Sequence, residues 1–262
     1  MGGEHEIAGS PREVGLSATR ERPTVSAKML VFDLDDTLYA ERDFASSGFR
    51  AVAAQLRTQG CPPDLPYAAT FESILEREGS GRVFDGGLDL LGVPVTAARI
   101  QECVRTYRHH QPDIAPHPGI RECLTRARSL GLRLGVITDG SPEIQERKLS
   151  ALDVRGLFET ILATDSLGEG RVGWKPSPLP FQTVAKRAEL SGANLLYVGD
   201  NPLKDFEGAI REGWQCVRLR LDGQLHAHRP TPKNVKETRS VAALAELLLG
   251  RQREPAFANT VE

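Results

Sequence analysis

The sequence predicts a doubly wound α/β protein: an open parallel sheet with helices on both faces and a helical segment inserted after its first strand. Two observations carry that expectation. From about residue 116 to 220, short apolar runs alternate with helical patterns, as in a parallel sheet built from crossover units. From Tyr39 to about Ala115, by contrast, helical periodicities occur without a convincing strand.

Taken in order, residues 1–27 are polar, charged and aperiodic, and read as a flexible N-terminal tail. Met1-Gly2 opens like a myristoylation signal, but Glu6 stands where Ser or Thr is needed. Residues 28–32 (KMLVF) suit a strand buried on both faces, and 132–138 (LRLGVIT), 160–163 (TILA) and 195–198 (LLYV) repeat that character. Residues 216–221 (CVRLRL) alternate instead, as a strand nearer a sheet edge does. Within the insertion, Tyr67, Phe71, Ile74 and Leu75 share one helical face. Thr96 is placed to cap a helix carrying Ala97, Ile100, Val104 and Tyr107. Ile120, Cys123, Leu124, Ala127 and Leu130 form another face, with Gly131 as its stop. Ser141-Pro142, Ser177-Pro178 and Asn201-Pro202 each read as an N-cap followed by proline in the first turn, and residues 241–249 (VAALAELLL) as a last packed helix. The expected division is a core over 28–39 and 116–250, an inserted helical domain over 40–115, and a C-terminal tail over 251–262.

Composition sets the outer bounds. With 262 residues, 40% hydrophobic and 26% charged, the chain has the make-up of an ordinary globular protein. A net charge of −2 offers no basic surface for nucleic acid. No run approaches the length of a membrane span and no apolar leader is visible, so a cytoplasmic setting is expected. Cys61, Cys103, Cys123 and Cys216 are far apart, without a C-x-x-C pair, which suits reduced buried thiols. The oligomeric state is not legible.

Three apolar runs end in polar groups: Asp33-Leu34-Asp35-Asp36-Thr37-Leu38, Thr138-Asp139-Gly140 and Gly199-Asp200-Asn201. Ligand sites of open parallel sheets lie at the carboxyl ends of the strands, so these groups are expected to converge on one cleft. Asp33 and Asp35, two residues apart, project to one side of an extended backbone, and their charges call for a cation. Mg²⁺ suits such a site, since it takes oxygen ligands and few carboxylates, and Asp200 is placed to complete it.

The set Asp33-x-Asp35-x-Thr37-Leu38, Thr138, Lys175-Pro176 and Gly199-Asp200-x-x-x-x-Asp205, over about residues 28–221, resembles the haloacid dehalogenase superfamily. Within it the chain is similar to the phosphatase branch with a helical cap of the first type. The resemblance implies a Rossmann-like core and an Mg²⁺-dependent phosphatase acting on a small phosphorylated metabolite. It casts Asp33 as the nucleophile that forms an aspartyl-phosphate. Asp35 becomes the general acid and then base, with its main-chain carbonyl on the metal. Thr138 would bond a phosphate oxygen, with Asp139 and Gly140 beside it at the substrate. Lys175 would stabilise the phosphoryl group and the nucleophile. Asp33, Asp35 and Asp200 form the implied metal set; Asp205 would hold Lys175 or a metal-bound water, with Asn201 supporting. Asp35 favours phosphate esters over dehalogenation, which needs no leaving-group proton. The absence of lysine from residues 39–115 excludes the Schiff-base phosphonate route. A sugar-phosphate mutase using the same nucleophile, and a phosphometabolite-binding regulator without turnover, remain as alternatives.

Other features read as background. Gly168-x-Gly170-x-x-Gly173 matches a dinucleotide-binding pattern, but no helix opens within it, so it reads as a loop leading to Lys175. His109-His110 and His226-x-His228 lack metal-ligand partners and read as solvated. Arg50, Arg82, Arg105 and Arg108 read as surface arginines.

Overall fold

The structure is a computed structural model that describes residues 24–250. After strand β1 (Met29–Phe32) come helices α1 (Glu41–Thr58), α2 (Tyr67–Glu78), α3 (Val83–Leu90) and α4 (Ala97–His109). The rest of the chain alternates: α5 (Ile120–Ser129), β2 (Arg133–Thr138), α6 (Pro142–Ala151), β3 (Thr160–Ala163), α7 (Leu179–Ala188), β4 (Leu195–Gly199), α8 (Glu207–Arg211), β5 (Gln215–Leu219), β6 (Lys236–Thr238) and α9 (Val241–Leu249). The six strands are all parallel, in the order β3-β2-β1-β4-β5-β6.

The period of two along a strand explains why β1 is apolar throughout. Leu30 and Phe32 enter the core under α5, α6 and α9, while Met29 and Val31 enter the opposite core under α7 and α8. Helices therefore cover both faces, as the alternation predicts. Gly135 in β2 serves this packing, because a Cβ there would lie 2.7 Å from the Met29 side chain.

The insertion has a core of its own. Phe49, Phe71 and Phe84 are buried with Val52, Leu56 and Cys103, and their ring centroids lie 5.2–6.0 Å apart in tilted and edge-on pairs. Thr96 caps α4 as expected, accepting from Arg99 N at 3.2 Å. The most buried residue of α4 is Cys103; Val104 and Tyr107 are only partly buried.

Several expectations are corrected. Asn201-Pro202 does not open a helix: Asn201 Oδ1 accepts from Leu203 N at 3.0 Å in a turn, and α8 starts at Glu207. Side-chain bonding to the local backbone competes with helix formation there. The strand expected over 216–221 ends at Leu219; it lies next to the edge, as its alternation suggests, with the short polar β6 pairing outside it. The packed chain begins within the expected tail: Thr24 N donates to Leu248 O at 3.2 Å and Ala27 is buried. Residues 1–23 and the expected C-terminal tail over 251–262 lie outside the described residues. No described helix is long and apolar enough to cross a membrane.

Candidate active site

β2 and β4 flank β1, so their carboxyl ends present Thr138, Asp33 and Asp200 from three adjacent strands. Strand order reverses between β1 and β4, where parallel sheets open a crevice. Asp33 follows β1 directly, its N–H donating to Val198 O at 2.8 Å. Lys175 enters from the connection between β3 and α7.

Lys175 is the hub of this site. Its ammonium donates to Asp33 Oδ1 at 2.5 Å, Asp205 Oδ1 at 2.8 Å and Tyr197 OH at 2.9 Å. An ammonium has three protons, so all are used. The two carboxylates sharing it respond differently. Burial pushes Asp33 up to about 6 despite Lys175. Burial acts on Asp205 too, but there the lysines outweigh it and hold the carboxyl below its ordinary value. Asp205 Oδ2 also accepts from Asp200 N at 3.1 Å and Asn201 N at 2.8 Å. Gly199 makes room, since a Cβ there would lie 2.5 Å from that oxygen.

Two groups stand out as incomplete. Asp33 Oδ2 and Thr138 Oγ1 are buried and have no protein hydrogen-bond partner. Carboxylate oxygens of Asp33, Asp200 and Asp205 lie within 4.8 Å of one another. Burial, then the charges of Asp205 and Asp33, push Asp200 well above the usual carboxylate range, although Thr37 Oγ1 donates to its Oδ1 at 3.0 Å. A hard dication would reverse that penalty, so the donor set fits one.

The Asp35 side chain has its own cation. The chain leaves β1 through a turn in which Asp36 has φ +57°. The Asp35 carboxylate accepts from Lys148 Nζ at 2.7 Å and from Tyr39 OH. Burial pushes Asp35 upward, but Lys148 and Tyr39 outweigh it, and its carboxyl lies below the ordinary value. The two acids that were expected to share one cation thus have separate lysines. The side-chain acid cluster contains Asp205 in place of Asp35.

Asp139 and Gly140 direct much of their bonding into the protein. Asp139 Oδ1 accepts from Lys175 N at 3.1 Å and Thr164 Oγ1 at 3.3 Å, and Oδ2 lies 3.3 Å from Lys204 Nζ. Gly140 N donates to Thr164 Oγ1 at 3.2 Å.

Lys148 and Lys204 escaped sequence reasoning, as did Tyr39 and Tyr197. The signal for Lys148 was its period: Gln145, Lys148 and Leu149 share the buried face of α6. Arg218 escaped too. It is fully buried in β5 and donates to Asp200 O at 2.8 Å, fixing the turn that carries the acid.

The background features divide. The Gly168–Gly173 stretch forms short 3-10 turns with no helix opening in it. Arg50, Arg82 and Arg105 are exposed and pair with Asp113, Asp85 and Glu102. His110 is not solvated: it is buried at the base of the insertion, its ring 4.9 Å from that of Phe44.

Comparison with known proteins agrees with this geometry. Over 194 residues the chain is 31% identical to the glyceraldehyde 3-phosphate phosphatase of Pyrococcus abyssi, covering 72% of this chain and 80% of that one. The phosphoserine phosphatase of Thermus thermophilus is 27% identical, with 79% and 77% covered. The structure of the HAD-hydrolase YfnB from Bacillus subtilis shares the fold at a TM-score of 0.63, with 18% identity, over 84% of this chain and 98% of that one. Residues 30–219, which span all three strand ends and Lys175, match the model of the haloacid dehalogenase-like hydrolases, and the chain belongs to that family.

Proposed function

We propose that this chain is a Mg²⁺-dependent phosphatase that hydrolyses a small phosphorylated metabolite through an aspartyl-phosphate on Asp33. Two buried groups without a protein partner, Asp33 Oδ2 and Thr138 Oγ1, carry this reading. Buried polar atoms are normally satisfied; a phosphate oxygen at the strand ends would accept from Thr138 Oγ1, while Asp33 Oδ2 is left for a cation or for attack on phosphorus. The family and the phosphatase names of its relatives support the same reading.

In this reading Thr138 donates to a phosphate oxygen while the Asp33 carboxylate attacks phosphorus. The bond from phosphorus to the leaving oxygen breaks, and Asp35, which takes up a proton from solvent as the substrate's negative charge enters beside it, passes that proton to the leaving oxygen. Asp35, left as a carboxylate stabilised by Lys148, then takes a proton from the water that attacks the aspartyl-phosphate. Inorganic phosphate leaves and Asp33 is restored. Lys175 holds Asp33 in position and offsets its charge throughout. Asp33, Asp200 and the Asp35 main-chain carbonyl would hold Mg²⁺, which would neutralise the approaching phosphate. The helices of residues 40–115 would act as the cap that selects substrate and limits access of water. Four free, buried cysteines support a reducing, cytoplasmic setting.

The test is phosphate release from a panel of phosphate monoesters, beginning with glyceraldehyde 3-phosphate and phosphoserine, with Mg²⁺ and with EDTA. Metal-dependent release from a few related compounds is the expected result. Silence of folded, metal-loaded protein across the panel would remove the reading.

A further inference from the structure

Among the described residues, the donor count at the strand ends leaves one cation, Lys204, without a full set of partners. Lys175 has a side-chain exposure of 0% and spends its three protons on Asp33, Asp205 and Tyr197. Lys148 is 7% exposed, bonded to Asp35, and lies 4.4 Å from the centroid of the Phe44 ring. Lys204 differs from both. Its side chain is 31% exposed, and its single contact is a long one, 3.3 Å to Asp139 Oδ2. Its backbone is fixed, since Lys204 N and Asp205 N both donate to Asn201 O, at 3.3 and 3.0 Å. Its charge faces the cleft, acting on Asp33, Asp35 and Asp205. Asp33, Asp205 and Asp139 hold Lys204 above its ordinary value despite burial and the neighbouring Lys175.

A phosphate dianion entering this site meets several carboxylates, and the innermost lysine has no proton left to offer it. We propose that Lys204 is a phosphate-binding residue of this site, its ammonium donating to a non-bridging oxygen of the substrate's phosphoryl group. The proposal rests on the phosphatase reading and adds a contact from the turn before α8. Charge-assisted bonds to phosphate are short and strong, so the contact is worth more than the one to Asp139 that it supplements or replaces. No proton changes hands.

The experiment compares wild type, Lys204→Met and Lys204→Arg, each checked for folding by circular dichroism. Titration calorimetry with inorganic phosphate and Mg²⁺ is combined with steady-state kinetics on the best substrate of the panel. Lys204→Met is expected to weaken phosphate binding about tenfold or more and to raise KM, and Lys204→Arg to return both to within about threefold of wild type. A second measurement avoids variants: phosphate should protect Lys204 of wild-type protein from an amine-reactive label, read by mass spectrometry. Folded Lys204→Met with phosphate affinity and KM like wild type, or labelling of Lys204 unaffected by saturating phosphate, would overturn the proposal. If wild type neither turns over the panel nor binds phosphate, the phosphatase reading itself falls, and Lys204 falls with it.

Discussion

At the strand ends, Asp33, Lys175, Asp200 and Asp205 are all buried, whereas helices α1 to α4 bury an aromatic cluster and leave Arg50, Arg82 and Arg105 outside. The first region buries paired charges in the turns and connections at the strand ends. The second gains stability from rings packed edge to face and keeps its ion pairs in water, where they contribute little. Buried charge is costly and persists where each group is held by specific partners. The difference sets buried, specifically paired charge at the strand ends against a packed aromatic body in the insertion.

The sharpest way to break the first region is Asp33→Asn. Turnover is expected to fall by about a thousandfold or more in phosphate-release assays, with the far-ultraviolet dichroism unchanged. Lys175→Met should cost both activity and stability, because it leaves Asp33 and Asp205 buried without their cation; about 3–5 kcal/mol is expected in urea titration. Phe71→Ala in the insertion is expected to cost a similar 3–5 kcal/mol or so through the cavity it leaves, while turnover at saturating substrate falls far less than in Lys175→Met. Equal loss of turnover in the two variants would erase the contrast.

The smallest effect concerns pH. The folded protein holds Asp33 at about 6, above the ordinary 3.8, so folding favours its protonated form. Its contribution to stability is present below the ordinary value and lost as pH rises towards 6. In EDTA the melting temperature of wild type should therefore fall from pH 4 to pH 6.5 by about 2–6 °C more than that of Asp33→Asn. Mg²⁺ should reduce the difference. A wild-type slope no steeper than that of the variant would show that Asp33 is not under this strain.

Much of this was legible because parallel strands advertise themselves. The apolar runs located β1 to β5 to within a residue or two, and the polar residues at their ends marked Asp33, Thr138 and Asp200. β6 was invisible: Lys236, Glu237 and Thr238 form no apolar run, and edge strands need none. Lys204 was hidden by the turn around Asn201, which looked like a helix start. Asp35 pairs with a lysine more than a hundred positions later in the chain. Side-chain partners that distant leave no local pattern in the sequence.

The strand order has a consequence for how the site comes into being. Met29 pairs with Arg133 on one side and Leu195 on the other, so β1 leaves the ribosome before either neighbour and has none until β2 and β4 follow. The contacts among α1 to α4 are local by comparison and close quickly. A nascent chain can thus complete the insertion while Asp33 is still solvated. Lys175 is synthesised before β4, so the ammonium is already on hand when the arrival of that last flanking strand withdraws the aspartate from water.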